Sequence, residues 1–137
     1  MAKDFFHNQV INALQKDGWL ITHDPYKMRV EDVLYEIDLG AEPLIAAEKG
    51  EQKIAVEIKS FIGPSTVNEL HKAVGQFVDY ATALEIFEPD RVLFLAIPEG
   101  IFLTFFQKTV IRKSIERIQG KILVYDPVNE IIVQWIK

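Results

Sequence analysis

The sequence contains no cysteine, which removes disulfides and thiolate metal sites from consideration. It has no apolar run near the roughly 20 residues needed to span a bilayer. The opening Met1-Ala2-Lys3-Asp4-Phe5-Phe6-His7 lacks the basic-then-apolar order of a secretory signal. These absences lead us to expect a cytoplasmic protein. Positive charge is also scarce, with 15 Lys and Arg against 20 Asp and Glu, a net charge of −5. Phosphate backbones are held largely by cationic side chains, so such a chain has little general pull on nucleic acid. The three histidines, His7, His23 and His71, have no zinc-site spacing. Repeats, low-complexity tracts and interdomain linkers are missing too, and 137 residues suit one domain, 1–137, with a real core.

The charge is unevenly spread. Residues 108–121 hold Lys108, Arg112, Lys113, Arg117 and Lys121 against Glu116 alone, a local charge of +4. A solvated helix face explains such a cluster, and contact with a DNA backbone is the alternative.

Periodicity predicts a helix over 4–17, where Phe6, Val10, Ala13 and Leu14 recur at helical spacing before Gly18. A short strand is expected over Trp19–Thr22, with a turn at His23-Asp24-Pro25-Tyr26. Leu44–Ala47 and Lys53–Phe61 read as the arms of a hairpin around Lys49-Gly50-Glu51. Thr66-x-x-Glu69 matches a capping box opening a helix to about Phe87. A buried strand follows over Arg91–Ile97, then a helix over 101–118 and two short strands, Lys121–Asp126 and Ile131–Ile136. This order predicts an α/β fold with a mixed central sheet flanked by helices.

One strand carries charges that stability does not call for. Lys53-Ile54-Ala55-Val56-Glu57-Ile58-Lys59-Ser60-Phe61 is apolar on both faces except at Glu57 and Lys59. Alternation puts these two on the same face, about 7 Å apart along the strand. A buried ion pair is often no better than an apolar replacement, so an ordinary strand-end pair competes with a functional one. Asp38 bears on the choice. It ends a second β-type run, Val33-Leu34-Tyr35-Glu36-Ile37-Asp38, just before Gly40. On a strand neighbouring Glu57 it would bring two carboxylates and an ammonium into one cleft, with the carboxylates within about 6 Å. Hard oxygen ligands of that kind suit Mg²⁺ or Mn²⁺.

With Asp38, the triplet Glu57-Ile58-Lys59 and a helix carrying Gln76-Phe77-Val78-Asp79-Tyr80, the chain resembles the PD-(D/E)xK nuclease superfamily and its restriction-endonuclease-like fold. The wider text resembles one small family. Lys3 to His7, Ile37 to Glu42, Leu44 to Lys49, Ile54 to Phe61 and Val124 to Pro127 are similar to the XisH family of fdxN element excision controlling factors. That resemblance spans nearly the whole chain.

The resemblance implies a Mg- or Mn-dependent DNA endonuclease-like protein. Asp38 and Glu57 would hold the metal with the backbone carbonyl of Ile58 as a third oxygen, and Asp38, Glu57 and Lys59 would form the catalytic trio. The metal would polarise the phosphate and acidify a bound water. Lys59 is better suited to stabilising charge than to acting as a base, which would require a strongly lowered pKa. Gln76 and Tyr80, four residues apart on one helix face, would support the substrate or ordered water. Related nucleases often carry another acid on the first helix. Here Asp4 reads as a cap and His7 as a half-buried histidine, while Glu42 and Glu48 add acidity, the latter near the hairpin tip. Two other roles stay open: a non-catalytic regulator of DNA excision, and an effector paired with an XisI-like protein partner. Lys108, Arg112, Lys113 and Arg117 are the candidate DNA-backbone contacts. Homodimerisation through the closing strands, Ile122-Leu123-Val124 and Ile131-Ile132-Val133, would enlarge that surface.

Overall fold

The computed structural model describes residues 4–35 and 44–137, apart from the side chains of 33–35. Helix α1 runs His7–Lys16, shorter than the 4–17 expected, and turns Val10, Ala13 and Leu14 inward. Gly18, at φ +89°, ends it. The Gly18 N–H reaches the Gln15 carbonyl and the Trp19 N–H reaches that of Leu14, both at 3.0 Å. Two carbonyls of the last turn are thereby satisfied as the chain reverses, a geometry glycine adopts without steric cost.

Among the described residues six strands form the main sheet, in the order β1 (Leu20–Tyr26), β4 (Leu44–Lys49), β5 (Gln52–Ile58), β6 (Arg91–Pro98), β7 (Ile122–Asp126) and β8 (Ile131–Ile136). Pairing is antiparallel from β1 through β5, parallel from β5 through β7, and antiparallel again between β7 and β8. The expected mixed sheet and the hairpin at Gly50-Glu51 are both present. A separate ribbon pairs β2 (Met28–Val30) with β3 (Val33–Tyr35).

Apolar residues cover both faces, as expected for central strands whose faces are each packed by helices. On one face Val10 and Leu14 of α1 meet Ile45, Val56, Ile58 and Leu123. On the other, α2 (Thr66–Phe87) lays Leu70, Ala73, Phe77 and Tyr80 over Leu44, Ala55 and Leu95.

Five expectations are revised. His23 to Tyr26 are not a turn but the second half of β1. This strand lies at the sheet edge, where register shifts at His23 and Tyr26 leave room for a proline without an N–H. The cap of α2 is Ser65, whose hydroxyl accepts the Asn68 N–H at 3.2 Å, rather than Thr66. The helix expected over 101–118 is divided into α3 (Glu99–Leu103), a 3₁₀ turn at Phe105–Gln107, and α4 (Thr109–Arg117). In an unbroken helix Phe106 would face roughly 140° away from Ile111 at about 100° per residue, yet both are buried. The break turns both inward.

The last two revisions concern strand neighbours. The described part of the run leading to Asp38, β3, pairs with β2, whereas β5 is flanked by β4 and β6. Asp38 itself, and Glu42, lie outside the described residues. Finally, Ile122-Leu123-Val124 is no edge: β7 is interior and these residues are core. Of the two closing strands, β8 alone is outermost among the described residues. Val133 is passed over between the pairs Val124–Gln134 and Tyr125–Ile132, which bulges that strand.

Candidate functional site

The β4–β5 hairpin carries Glu57 to the end of β5 farthest from its turn, in the third strand of six. Leu44 and Leu95 are its partners on either side, and its exposure is 0 %. Lys59 extends the parallel ladder by one bond, its N–H reaching the Ala96 carbonyl at 3.0 Å, and is 1 % exposed. Alternation continues through it. Ala55 and Phe61 lie in the α2-side core and Val56 and Ile58 in the α1-side core, so Glu57 and Lys59 share the α2 side. Ionised groups are seldom placed this deep unless paired or functional.

Gln76 and Tyr80 lie on the helix covering that side. Tyr80 is buried in the core, while Gln76 is half-buried. The Gln76 Oε1 is buried and lacks a hydrogen-bond partner among the described residues. By strand alternation the Ile58 carbonyl points toward β4, opposite to the β6-facing N–H of Lys59. Asp38 lies outside the described residues, so its separation from Glu57 is not part of the observed geometry. Among the described residues, no three His, Asp or Glu side chains are grouped to hold a metal ion.

Two further residues, Asp4 and Tyr125, meet this strand end through contacts that sequence spacing did not reveal, and His7 stands behind Asp4. Asp4 is not the cap of α1, a position Phe6 takes without a side-chain hydrogen bond. The Asp4 Oδ1 accepts the Phe6 N–H and its Oδ2 the Ser60 N–H, each at 2.9 Å. Burial raises the Asp4 carboxyl pKa, opposed by those N–H donors and by the Lys59 charge. Tyr125, fully buried, donates its hydroxyl to the Lys59 carbonyl at 3.3 Å. Burial first, and then the Asp4 charge, push that hydroxyl upward, keeping it a donor. His7 is buried rather than half-buried, and its Nε2 lies 2.8 Å from Asp24 Oδ2. Asp4 and Tyr125 are 56 and 66 residues from their contacts, too far for any local pattern to signal.

The cluster on α4 is solvent-facing, with Arg112, Lys113 and Arg117 exposed and Ile111 and Ile115 turned to the core. Lys108 precedes the helix and is also exposed. Arg112 borders a cleft of about 490 Å³ shared with Lys121 and Lys137. A second cleft, about 440 Å³, adjoins Trp19, Lys53 and Trp135. Lys53 and Ile54 open β5, so the second cleft lies at the end of that strand away from Glu57 and Lys59, whereas Ile122, beside the first, is level with Glu57 through Leu95.

A family model described as XisH protein matches residues 1–133. An XisH family protein from Nostoc punctiforme PCC 73102, solved by crystallography, is 45% identical and superposes with a TM-score of 0.90. The match covers 98% of this chain and 100% of that one. An fdxN element excision controlling factor protein from Anabaena variabilis is 48% identical with a TM-score of 0.89, over 96% of this chain and 98% of its own. No curated protein matches.

Proposed function

The chain belongs to the XisH family, and from that premise we propose that it is an excision controlling factor working as a metal-dependent DNA endonuclease of the PD-(D/E)xK type. The observation that carries this reading is the burial of both Glu57 and Lys59 on one side of a central strand end. Apolar residues of similar volume often stabilise a core as well as a buried ion pair does, so stability alone does not call for these two charges.

The donor chemistry suits Mg²⁺ or Mn²⁺. Glu57 supplies a carboxylate, Ile58 a carbonyl and Asp38 a second carboxylate, all hard oxygen ligands. The buried Oε1 of Gln76, without a hydrogen-bond partner among the described residues, offers one more oxygen to such a site. When bound, the cation supplies Lewis-acid charge at the phosphate. Lys59 stabilises negative charge developing on the phosphorus oxygens, and its burial strengthens that interaction over one in water. Gln76 and Tyr80 hold the scissile strand or its water, and the exposed α4 cations meet flanking phosphates.

A second reading has its own support. The net charge of −5, with a local basic cluster on and around α4, suits a nuclease-fold regulator that binds DNA or an XisI-like partner without cutting. Divalent-metal titration of wild type against Glu57→Ala, followed by nicking assays on single-stranded, duplex and branched DNA, separates the two. Metal-dependent nicking lost in Glu57→Ala supports the enzyme. A wild type that binds no divalent ion at millimolar concentration supports the regulator.

A further inference from the structure

The peptide joining Lys59 to Ser60 is held on both sides by side chains remote in sequence. Its carbonyl accepts from the Tyr125 hydroxyl at 3.3 Å, and its N–H donates to Asp4 Oδ2 at 2.9 Å. A trans peptide aims these groups in opposite directions, so the two bonds together fix the rotation of the plane. That rotation sets the direction in which the Lys59 side chain leaves the backbone.

The sequence explains why side chains are required here. In the β5–β6 register Ile58 lies beside Ala96, which places Lys59 beside Ile97. The residue due to donate to the Lys59 carbonyl is then 98, a proline with no N–H. Tyr125, the β7 partner of Pro98, supplies the missing donor instead. Beyond Lys59 the strand ends, and Phe61 takes φ 57°, so the ladder no longer guides the backbone. Asp4 takes over. Its backbone carbonyl is bound by the His7 N–H at 3.0 Å, and His7 is tied to Asp24, which fixes Asp4 against α1 and β1.

We propose that Asp4 and Tyr125 are positioning residues for Lys59, clamping its peptide so that the ammonium stays aimed to the Glu57 side of the strand end. Neither touches the reacting atoms. The proposal rests on the reading of Lys59 as a catalytic group, and its test separates the two.

Tyr125→Phe, Asp4→Ala and Asp4→Asn are made in the full chain with ¹³C-labelled lysine. NMR relaxation then reports the order of each lysine Cε, and kcat and KM are measured for Mg²⁺-dependent cleavage of duplex DNA. Tyr125→Phe removes a single oxygen and keeps the core filled. We expect a more mobile Lys59 Cε in Tyr125→Phe and Asp4→Ala, with other lysines unchanged. Asp4→Asn, which keeps an acceptor, should fall between wild type and Asp4→Ala. The kcat should fall roughly tenfold or more at unchanged KM, as misplacement of a catalytic group requires. A Lys59 as rigid in both variants as in wild type overturns the proposal, even if melting temperatures drop. An inactive wild type combined with a mobilised Lys59 in the variants leaves the clamp standing and removes the nuclease reading.

Discussion

Arg91 grips Glu88 through two parallel bonds, Nε to Oε1 at 2.8 Å and Nη2 to Oε2 at 3.1 Å. The same guanidinium reaches Glu48 at 3.3 Å and the Ile54 carbonyl at 3.0 Å, and it stacks 5.0 Å from the Tyr26 ring centroid. The Tyr26 hydroxyl donates to Glu88 as well. One buried side chain thus joins the end of α2 to β1, β4 and β5. Removing it leaves the buried Ile54 carbonyl and two partly exposed carboxylates without their donor, so Arg91→Ala should cost about 2–3 kcal/mol in denaturant unfolding. Lysine cannot reproduce the fork, and Arg91→Lys should recover little of the loss.

The same pair sets an acid dependence. Hydrogen bonds from Arg91 hold the Glu88 carboxyl at about 2, below its usual 4.5. Because the folded-state value is depressed, the stabilisation is complete above pH 4.5 and is lost as pH falls toward 2. Denaturant midpoints across that interval should decline in wild type and decline less in Arg91→Gln. Equal slopes would remove Glu88 from the account.

At Glu57 and Lys59, function and stability should separate. Replacing only one partner leaves a buried charge. The double variant Glu57→Leu with Lys59→Met should be neutral or more stable, by up to about 4 kcal/mol, while any metal-dependent cleavage disappears. A double variant destabilised by about 2 kcal/mol or more would show that the two charges serve the fold.

If α4 meets a phosphate backbone, Arg112→Ala and Lys113→Ala should weaken DNA binding uniformly across sequences. Each lost contact should flatten the logarithmic salt dependence by about one unit. Unchanged affinity and slope would assign the cluster to solvent alone.

Association is testable without any activity. An acidic 15.7 kDa chain with one basic helix has little surface to hold a duplex alone. We expect a homodimer, or a complex with a second protein, by light scattering over a concentration series. A monomer at high concentration excludes the homodimer.

What the sequence made legible was local. The β4–β5 hairpin followed from a turn glycine between apolar runs, and α2 from a capping-box match at Thr66-x-x-Glu69, one residue past the observed cap. Glu57 and Lys59 stood out because a charge in an apolar strand breaks its pattern. The clamp on Lys59 was not legible, since Tyr125 and Asp4 reach it only through the sheet and the packing of α1. The fragmentation of 101–118 was hidden for a related reason. Phe106 and Ile111 both have to be buried, but only the tertiary fold says on which side. Asp24 and Pro25 looked like turn residues, and an outer strand with an irregular register admitted them.

That irregularity recurs at the opposite margin of the sheet. The ladder of β1 shifts at His23 and Tyr26, and that of β8 skips Val133, leaving each outer row of amides and carbonyls out of step with a straight strand. A second chain laid along either margin would find some of its bonds misaligned. Strand addition along either margin of this sheet is thereby disfavoured, which steers copies that meet toward side-chain contacts and away from extension into a fibre.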